Sequence, residues 1–182
     1  MDNKALQDIV KAIIQSYSEP VKLDEILRAF DDCDDIEVLD VKAAIDVLLQ
    51  EDETTQKLKE IAGGYRYQIK QKYSKWIQKA KDIDLDADKL SRAVAETVMY
   101  IAYHEPVSRA EIDAFRGCQT HLTVYHQLEE RGWIKVVEYG GIRKTAALYR
   151  TTDKFLADFC MKSLRELPPL KALVQETVES LC

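Results

Sequence analysis

The sequence predicts a mainly α-helical protein with small β wings, built as two tandem winged helix-turn-helix domains. Three observations support this fold class. A short motif occurs twice, as Tyr17-Ser18-Glu19-Pro20-Val21 and as Tyr103-His104-Glu105-Pro106-Val107. Each copy lies between an apolar, helix-like run and a short amphipathic segment. Each is then followed by a longer helical pattern and a Gly-Gly turn flanked by β-forming residues, so the chain of 182 residues repeats one structural unit.

The first unit is predicted over residues 1–80. Its first helix has apolar residues at helical spacing from Leu6 to Tyr17 and ends at Glu19-Pro20, because the residue before proline disfavours the helical conformation. A second helix is expected from about Leu23, capped near Lys22, to Phe30. A third carries an apolar face of Val38, Val41, Ala44, Ile45, Leu48 and Leu49. Strands over 58–61 and 65–69 flank Ala62-Gly63-Gly64, and a short helix containing Tyr73, Trp76, Ile77 and Ala80 is expected to pack back on the unit.

The second unit is predicted over residues 91–160, after an acidic linker at 81–90 and before a tail at 161–182. Ser91 is the expected N-cap of a first helix that is apolar almost all round, which is typical of a helix buried on several sides. Glu111, Ile112 and Phe115 mark the second helix and Gly117 its end. A third helix stops near 131–132, strands from Trp133 and up to Tyr149 form the wing, and a short helix covers 153–159. Pro168-Pro169 interrupt the tail, and residues 173–181 have amphipathic spacing.

Composition and motifs favour a binding protein of the cytoplasm without a cofactor. No apolar run approaches the length of about 18 residues that a membrane span needs, and the N-terminus does not resemble a secretion signal. The four cysteines lie far apart, and the three histidines have no metal-ligand spacing. Phosphate-binding loops, zinc-hydrolase motifs and nucleophile elbows are absent from the sequence, so we expect no enzyme activity.

The charge distribution argues against a dedicated DNA binder. Residues 1–80 carry 12 basic and 16 acidic side chains, a balance of −4, and residues 91–150 carry 8 and 7, a balance of +1. A winged helix that regulates transcription inserts its third helix into the major groove, and Lys and Arg neutralise the phosphates. The third helix of the first unit is acidic, and that of the second has no cation before Arg131. A winged-helix transcription regulator is therefore the alternative, and weak contact through Arg143 and Lys144 of the second wing stays open.

A set of motifs, in order along the chain, resembles the bacterial segregation and condensation protein B family. The matching segments reach Leu170 and are as follows: Ala62-Gly63-Gly64-Tyr65-Arg66, Ser91-Arg92-Ala93, Glu96-Thr97, Ile101-Ala102-Tyr103, Pro106-Val107-Ser108-Arg109-Ala110-Glu111-Ile112, Arg116-Gly117, Leu128-Glu129-Glu130-Arg131-Gly132-Trp133-Ile134, Leu148-Tyr149-Arg150-Thr151-Thr152 and Lys162-Ser163-Leu164-Arg165-Glu166-Leu167-Pro168-Pro169-Leu170. The second wing lacks the family's proline-containing pattern, and the third helix of the second unit opens unusually with Cys118-Gln119-Thr120-His121.

The resemblance implies a homodimer that has no enzymatic activity. It implies binding to the central region of a kleisin subunit, segregation and condensation protein A, which bridges the heads of an SMC ATPase. Chromosome condensation and segregation, and a location at the nucleoid, follow from that role. DNA would be contacted only indirectly or weakly, and no membrane contact is implied.

Two groups of residues are predicted to form interfaces. The near-neutral second unit is expected to hold the main kleisin contact, because interface cores are depleted in charge and enriched in aromatic residues and arginine. The candidate residues are Trp133, Tyr139, Arg143, Tyr149, Phe155 and Phe159. Dimerisation is assigned to the first unit, with candidates Phe30, Leu39, Trp76 and Ile77. The alternative for each aromatic side chain is a place in the domain core, and we expect only a minority to be exposed.

Overall fold

The protein consists of two units with the same order of elements. The computed structural model describes residues 2–31, 36–81, 90–137 and 147–169. Contacts between Cα atoms group the described residues up to Leu90 with Ala157–Cys160, and group those of Ser91–Leu156 with those from Met161 onward. Each unit contains three helices followed by an antiparallel strand pair, which confirms the tandem winged-helix fold class. The boundaries at residues 80, 91 and 160 stay a prediction, and most of the predicted linker and tail lies outside the described residues.

Three helices form the first core. Helix α1 (Asn3–Ser16) buries Leu6, Val10 and Ile14 against α3 (Val38–Gln50), which follows α2 (Leu23–Leu27). The predicted second helix is α-helical only to Leu27 and continues as a 3₁₀ turn, Arg28–Phe30. The tighter turn buries Phe30, which is 8% exposed, against the core.

The two glycines of the first hairpin serve different purposes. Strands β1 (Gln56–Ile61) and β2 (Gly64–Ile69) are joined by Ala62 and Gly63, whose φ angles are 51° and 72°. Positive φ at both central residues gives a turn whose twist fits the strands. Gly64 is needed for space, because a Cβ atom there would lie 2.8 Å from the Val21 carbonyl oxygen. That close approach lets Val21 pair with Tyr65, so the repeated Pro-Val motif adds an isolated bridge to the hairpin.

The helix after the first hairpin differs from its prediction. A 3₁₀ turn, Gln71–Tyr73, leads into α4 (Ser74–Ala80). Its half-buried positions are 74, 77 and 78, whereas Trp76 is 70% exposed. The expectation that Trp76 packs back on the unit is therefore wrong. A helix of two turns buries one side only, and Trp76 lies on the other side.

The second unit repeats this order around a three-stranded sheet. Its helices are α5 (Arg92–His104), α6 (Arg109–Arg116), α7 (Leu122–Glu130) and α8 (Asp153–Asp158), followed by a 3₁₀ turn, Leu164–Glu166. Strands β3 (Val107–Ser108), β4 (Ile134–Val137) and β5 (Leu148–Thr151) pair antiparallel in the order β3-β5-β4. The Val107–Tyr149 pair corresponds to Val21–Tyr65.

Local signals in the second unit are confirmed. The Ser91 hydroxyl accepts a hydrogen bond from the Val94 amide at 3.3 Å, and Gly117 ends α6 with a φ angle of 69°. Helix α5 leaves only Arg92 and His104 exposed among its residues. In the part of the chain that the structure describes, no helix is long and apolar enough to cross a membrane.

Candidate partner-binding surfaces

Three of the predicted kleisin-contact residues lie in the core of the second unit. Trp133, Tyr149 and Phe155 are 7%, 1% and 0% exposed. The Trp133 and Phe155 rings meet edge to face with their centroids 6.4 Å apart. Side chains buried to this degree present almost no surface to a partner, so their direct contribution in this structure is to packing. The small core takes up these aromatic rings because each contributes a large apolar area.

Buried Tyr149 is the centre of a polar arrangement that the sequence did not reveal. Its ring stacks on Tyr125 at 5.0 Å between centroids, and its hydroxyl accepts a hydrogen bond from Arg109 Nε at 2.7 Å. The Arg109 guanidinium also lies 4.7 Å from the centre of the Tyr125 ring. Burial raises the pKa of the Tyr125 hydroxyl. Because the arginine closes over both rings, this arrangement fixes β5 against α6 and α7 and offers no open ligand site.

An exposed aromatic stack lies elsewhere on the second unit. Tyr100 of α5 stacks on Phe115 of α6 with centroids 4.4 Å apart, and on His104 at the same distance. Phe115 is 57% exposed. We call these three residues the aromatic stack. The sequence analysis used Phe115 only to mark the second helix, and the one available signal was the apolar character of α5 on nearly every side.

The remaining predicted contact residues are Phe159, Tyr139 and Arg143. Phe159 is 43% exposed and follows α8 within Ala157–Cys160, the segment that groups with the first unit. Tyr139 and Arg143, which belong to the predicted second wing, lie outside the described residues. These assignments therefore stay predictions.

The first unit exposes two large apolar side chains from the predicted dimer set. Leu39 of α3 and Trp76 of α4 are each 70% exposed, whereas Phe30 is buried and Ile77 is half-buried. Val38, next to Leu39, is 47% exposed and extends the apolar surface of α3. Exposed apolar side chains of this size are typical of interaction surfaces when they cluster.

The charges of the third helices, α3 and α7, do not favour insertion into a DNA groove. In α3, Asp40 accepts a hydrogen bond from the Glu37 amide at 2.9 Å and so serves the helix N-terminus. Helix α7 contains no Lys or Arg and ends with Glu129 and Glu130. Phosphates would be repelled by these carboxylates, since a recognition helix depends on nearby cations for affinity.

Comparisons with known proteins identify the family. The family model described as segregation and condensation complex subunit ScpB matches residues 8–170. A segregation and condensation protein B homolog from Coxiella burnetii is 33% identical over 174 residues, covering 94% of this chain and 82% of its own. The segregation and condensation protein B of Syntrophotalea carbinolica is 30% identical over 180 residues, covering 99% and 89%.

A solved structure of ScpB from Mycobacterium tuberculosis is 26% identical, covers 87% of this chain and 97% of that chain, and has a TM-score of 0.39. The family assignment rests on the sequence matches, which extend through both winged-helix units. The chain belongs to the ScpB family of segregation and condensation complex subunits.

Proposed function

We propose that this protein is a non-enzymatic subunit of a bacterial SMC–kleisin complex. In this proposal it forms a homodimer through the first unit and binds the central region of the kleisin, segregation and condensation protein A, through the second. Family membership supports a role in chromosome segregation and condensation. The assignment of one role to each unit rests on the large exposed apolar side chains that each unit carries.

The dimer surface is proposed around Leu39 and Trp76. Both side chains are 70% exposed, and a large apolar side chain buried in an interface contributes mainly through its removal from water. Phe30 is buried in the core and Ile77 is half-buried on α4, so these two predicted dimer residues offer less surface to a second copy.

Light scattering of the full chain tests the dimer. The wild type is expected at twice the monomer mass, and Leu39→Ser together with Trp76→Ala is expected to shift it to the monomer, with a loss of about 2 kcal/mol or more for each anchor. Phe115→Ser is the matched control, because it removes an exposed apolar side chain from the second unit. A wild type that stays monomeric at high micromolar concentration would refute the dimer.

The kleisin surface is proposed on the second unit at the aromatic stack. Phe115 offers the largest exposed aromatic area of the described part of this unit, and Tyr100 behind it is held between two rings. Such a rigid, exposed aromatic surface suits the apolar face of an amphipathic partner helix. Tyr139 and Arg143 of the predicted wing remain candidates as well.

Titration calorimetry with the purified kleisin tests this assignment. Phe115→Ala is expected to weaken binding by about 2 kcal/mol or more while leaving the dimer intact. Leu122→Ala is the control, because Leu122 is 52% exposed on α7 of the same unit. If Phe115→Ala and Tyr139→Ala both keep full affinity while removal of the first unit abolishes binding, the contact lies on the first unit.

A transcription regulator is not favoured. Both third helices are acidic or neutral, so we expect no specific, tight binding of duplex DNA by the protein alone. A gel shift at physiological salt checks this expectation. Nanomolar affinity for one DNA sequence over others would instead favour a function as a transcription regulator.

A further inference from the structure

In the first unit, acidic and basic residues occupy different parts of the chain, and the net charge of the unit does not show this separation. Residues 2–55 carry 5 basic and 15 acidic side chains, whereas residues 56–81 carry 8 basic and 1 acidic. The basic segment comprises the β1–β2 hairpin and α4. An acidic helical half and a basic hairpin half therefore make up one small unit.

The hairpin places several of these cations on one face. Lys57 and Lys59 are two residues apart on β1, so their side chains leave the same side of the sheet, while Leu58 between them is buried. Gln68 lies directly opposite Lys57 in the strand register. Lys57, Lys59 and Gln68, together with Lys70, Gln71 and Ser74, line an open cavity of about 480 Å³. Its positive charge comes from the three lysines.

Among the described residues, one of the three lysines that line the cavity pairs with a carboxylate. Lys70 Nζ lies 2.8 Å from the Asp52 carboxylate, and this contact, with the fields of Lys57 and Lys72, lowers the pKa of Asp52. Lys57 and Lys59 are exposed, and in the described ranges neither forms an ion pair with a carboxylate. We call Lys57, Lys59 and Lys70, which line this cavity, the lysine face.

We propose that the lysine face binds the phosphate backbone of duplex DNA without reading its sequence. Lys57 and Lys59, which have no carboxylate partner among the described residues, lie at one cavity with Lys70, and such a concentration of positive charge suits a regular polyanion. Phosphate contacts position a protein without specifying bases. Membership of a segregation and condensation family favours DNA over other polyanions. The acidic α3 keeps the groove-reading face away from phosphates, so the hairpin makes the contact alone.

The proposal is independent of the dimer and kleisin surfaces, since it uses none of their residues. Its test is fluorescence anisotropy of the full-length protein with a labelled duplex of random sequence, between about 50 and 200 mM salt. The wild type is expected to bind with a dissociation constant of about 10⁻⁴ to 10⁻⁶ M and with a logarithmic salt slope of about −3, from three phosphates.

Lys57→Gln with Lys59→Gln is expected to weaken binding at least about tenfold at the lowest salt and to reduce the slope by about two. The matched control is Lys4→Gln with Lys42→Gln, which removes the same charge from the acidic half. It is expected to leave both the dissociation constant and the salt slope almost unchanged. Light scattering of both variants should give the wild-type mass.

Four outcomes would overturn the proposal. The wild type could fail to bind duplex at about 50 mM salt, or both double variants could lose affinity equally, which would indicate a net-charge effect. Binding of polyglutamate without binding of duplex would assign the face to an acidic protein. Loss of the dimer mass in Lys57→Gln with Lys59→Gln would assign it to the second copy of the chain.

Discussion

The two units use the same repeated motif in different ways. In the second unit, Glu105 accepts hydrogen bonds from the amide and the hydroxyl of Thr151, both at 2.6 Å, and lies 3.5 Å from Arg150. It thereby ties the motif to β5. In the first unit, the equivalent Glu19 is exposed to solvent. A repeat in sequence therefore specifies the path of the chain, whereas the side-chain partners depend on what the neighbouring strand presents.

The tyrosines opposite the two valines show the same contrast. Tyr149 is 1% exposed and is covered by Tyr125 and Arg109, while Tyr65 is only partly buried. The second unit buries Trp133, Tyr149 and Phe155 but leaves Phe115 exposed, and the first leaves Trp76 on the surface. Aromatic residue type alone therefore does not show which side chains are available to a partner.

Truncation of the two tyrosines should give the largest difference between the units. Tyr149→Ala is expected to cost about 3–5 kcal/mol, because it removes a buried ring and leaves the Arg109 hydrogen bond without an acceptor. Tyr65→Ala should cost less, since its ring is partly exposed. Urea unfolding followed by circular dichroism measures both, and equal losses would show that the two sites are equivalent.

The paired isoleucines test whether the two cores are comparable. Ile26 in α2 and Ile112 in α6 occupy equivalent positions and are both 0% exposed. Each change to Ala is expected to cost about 2–5 kcal/mol. Because Trp133 is buried in the second unit, its fluorescence should report the loss in Ile112→Ala, whereas Ile26→Ala should be detected mainly by circular dichroism. A shift of the Trp133 transition by the same amount in both variants would show that the units unfold together.

Helix capping should give a smaller difference in stability between the two units. The Ser108 hydroxyl accepts a hydrogen bond from the Glu111 amide, and the Ser108 amide donates to the Glu111 carboxylate at 2.7 Å. At the equivalent place before α2, the Lys22 amide donates to Glu25 at 2.9 Å, but a lysine side chain has no acceptor. Ser108→Ala should therefore cost about 1 kcal/mol and Lys22→Ala less, as measured by thermal unfolding.

The smallest expected effect is the loss of stability of the first unit in acid, to which Glu53 contributes. A hydrogen bond and ion pair from Lys11 lower the pKa of Glu53. The stabilisation is present above the pKa of the unfolded chain and is lost as the pH falls through the lower folded value. Glu53→Gln should flatten the fall in stability below about pH 4.5 by less than about 1 kcal/mol. The exposed Glu19→Gln is the control, and an equal flattening there would argue against the Lys11 contact.

The sequence by itself determined the element order and the fold class. Helical spacing in α1 and α3, the Ser91 cap and the Gly63 turn depend on interactions within a few residues, so they could be predicted directly. The family resemblance was equally accessible, because its motifs are local. The need for Gly64 was not, since it arises from the Val21 backbone more than forty residues away in the chain.

Only the tertiary structure decided which side chains are available to a partner. Trp133, Tyr149 and Phe155 are of residue types that often anchor interfaces, yet the packing of β4, β5 and α8 buries all three. Trp76 is also an aromatic residue, but it lies on the exposed side of a short helix. Exposure depends on contacts between segments distant in sequence, and residue type constrains it only weakly. The lysine face likewise became visible when the strand register placed Lys57, Lys59 and Lys70 around one cavity.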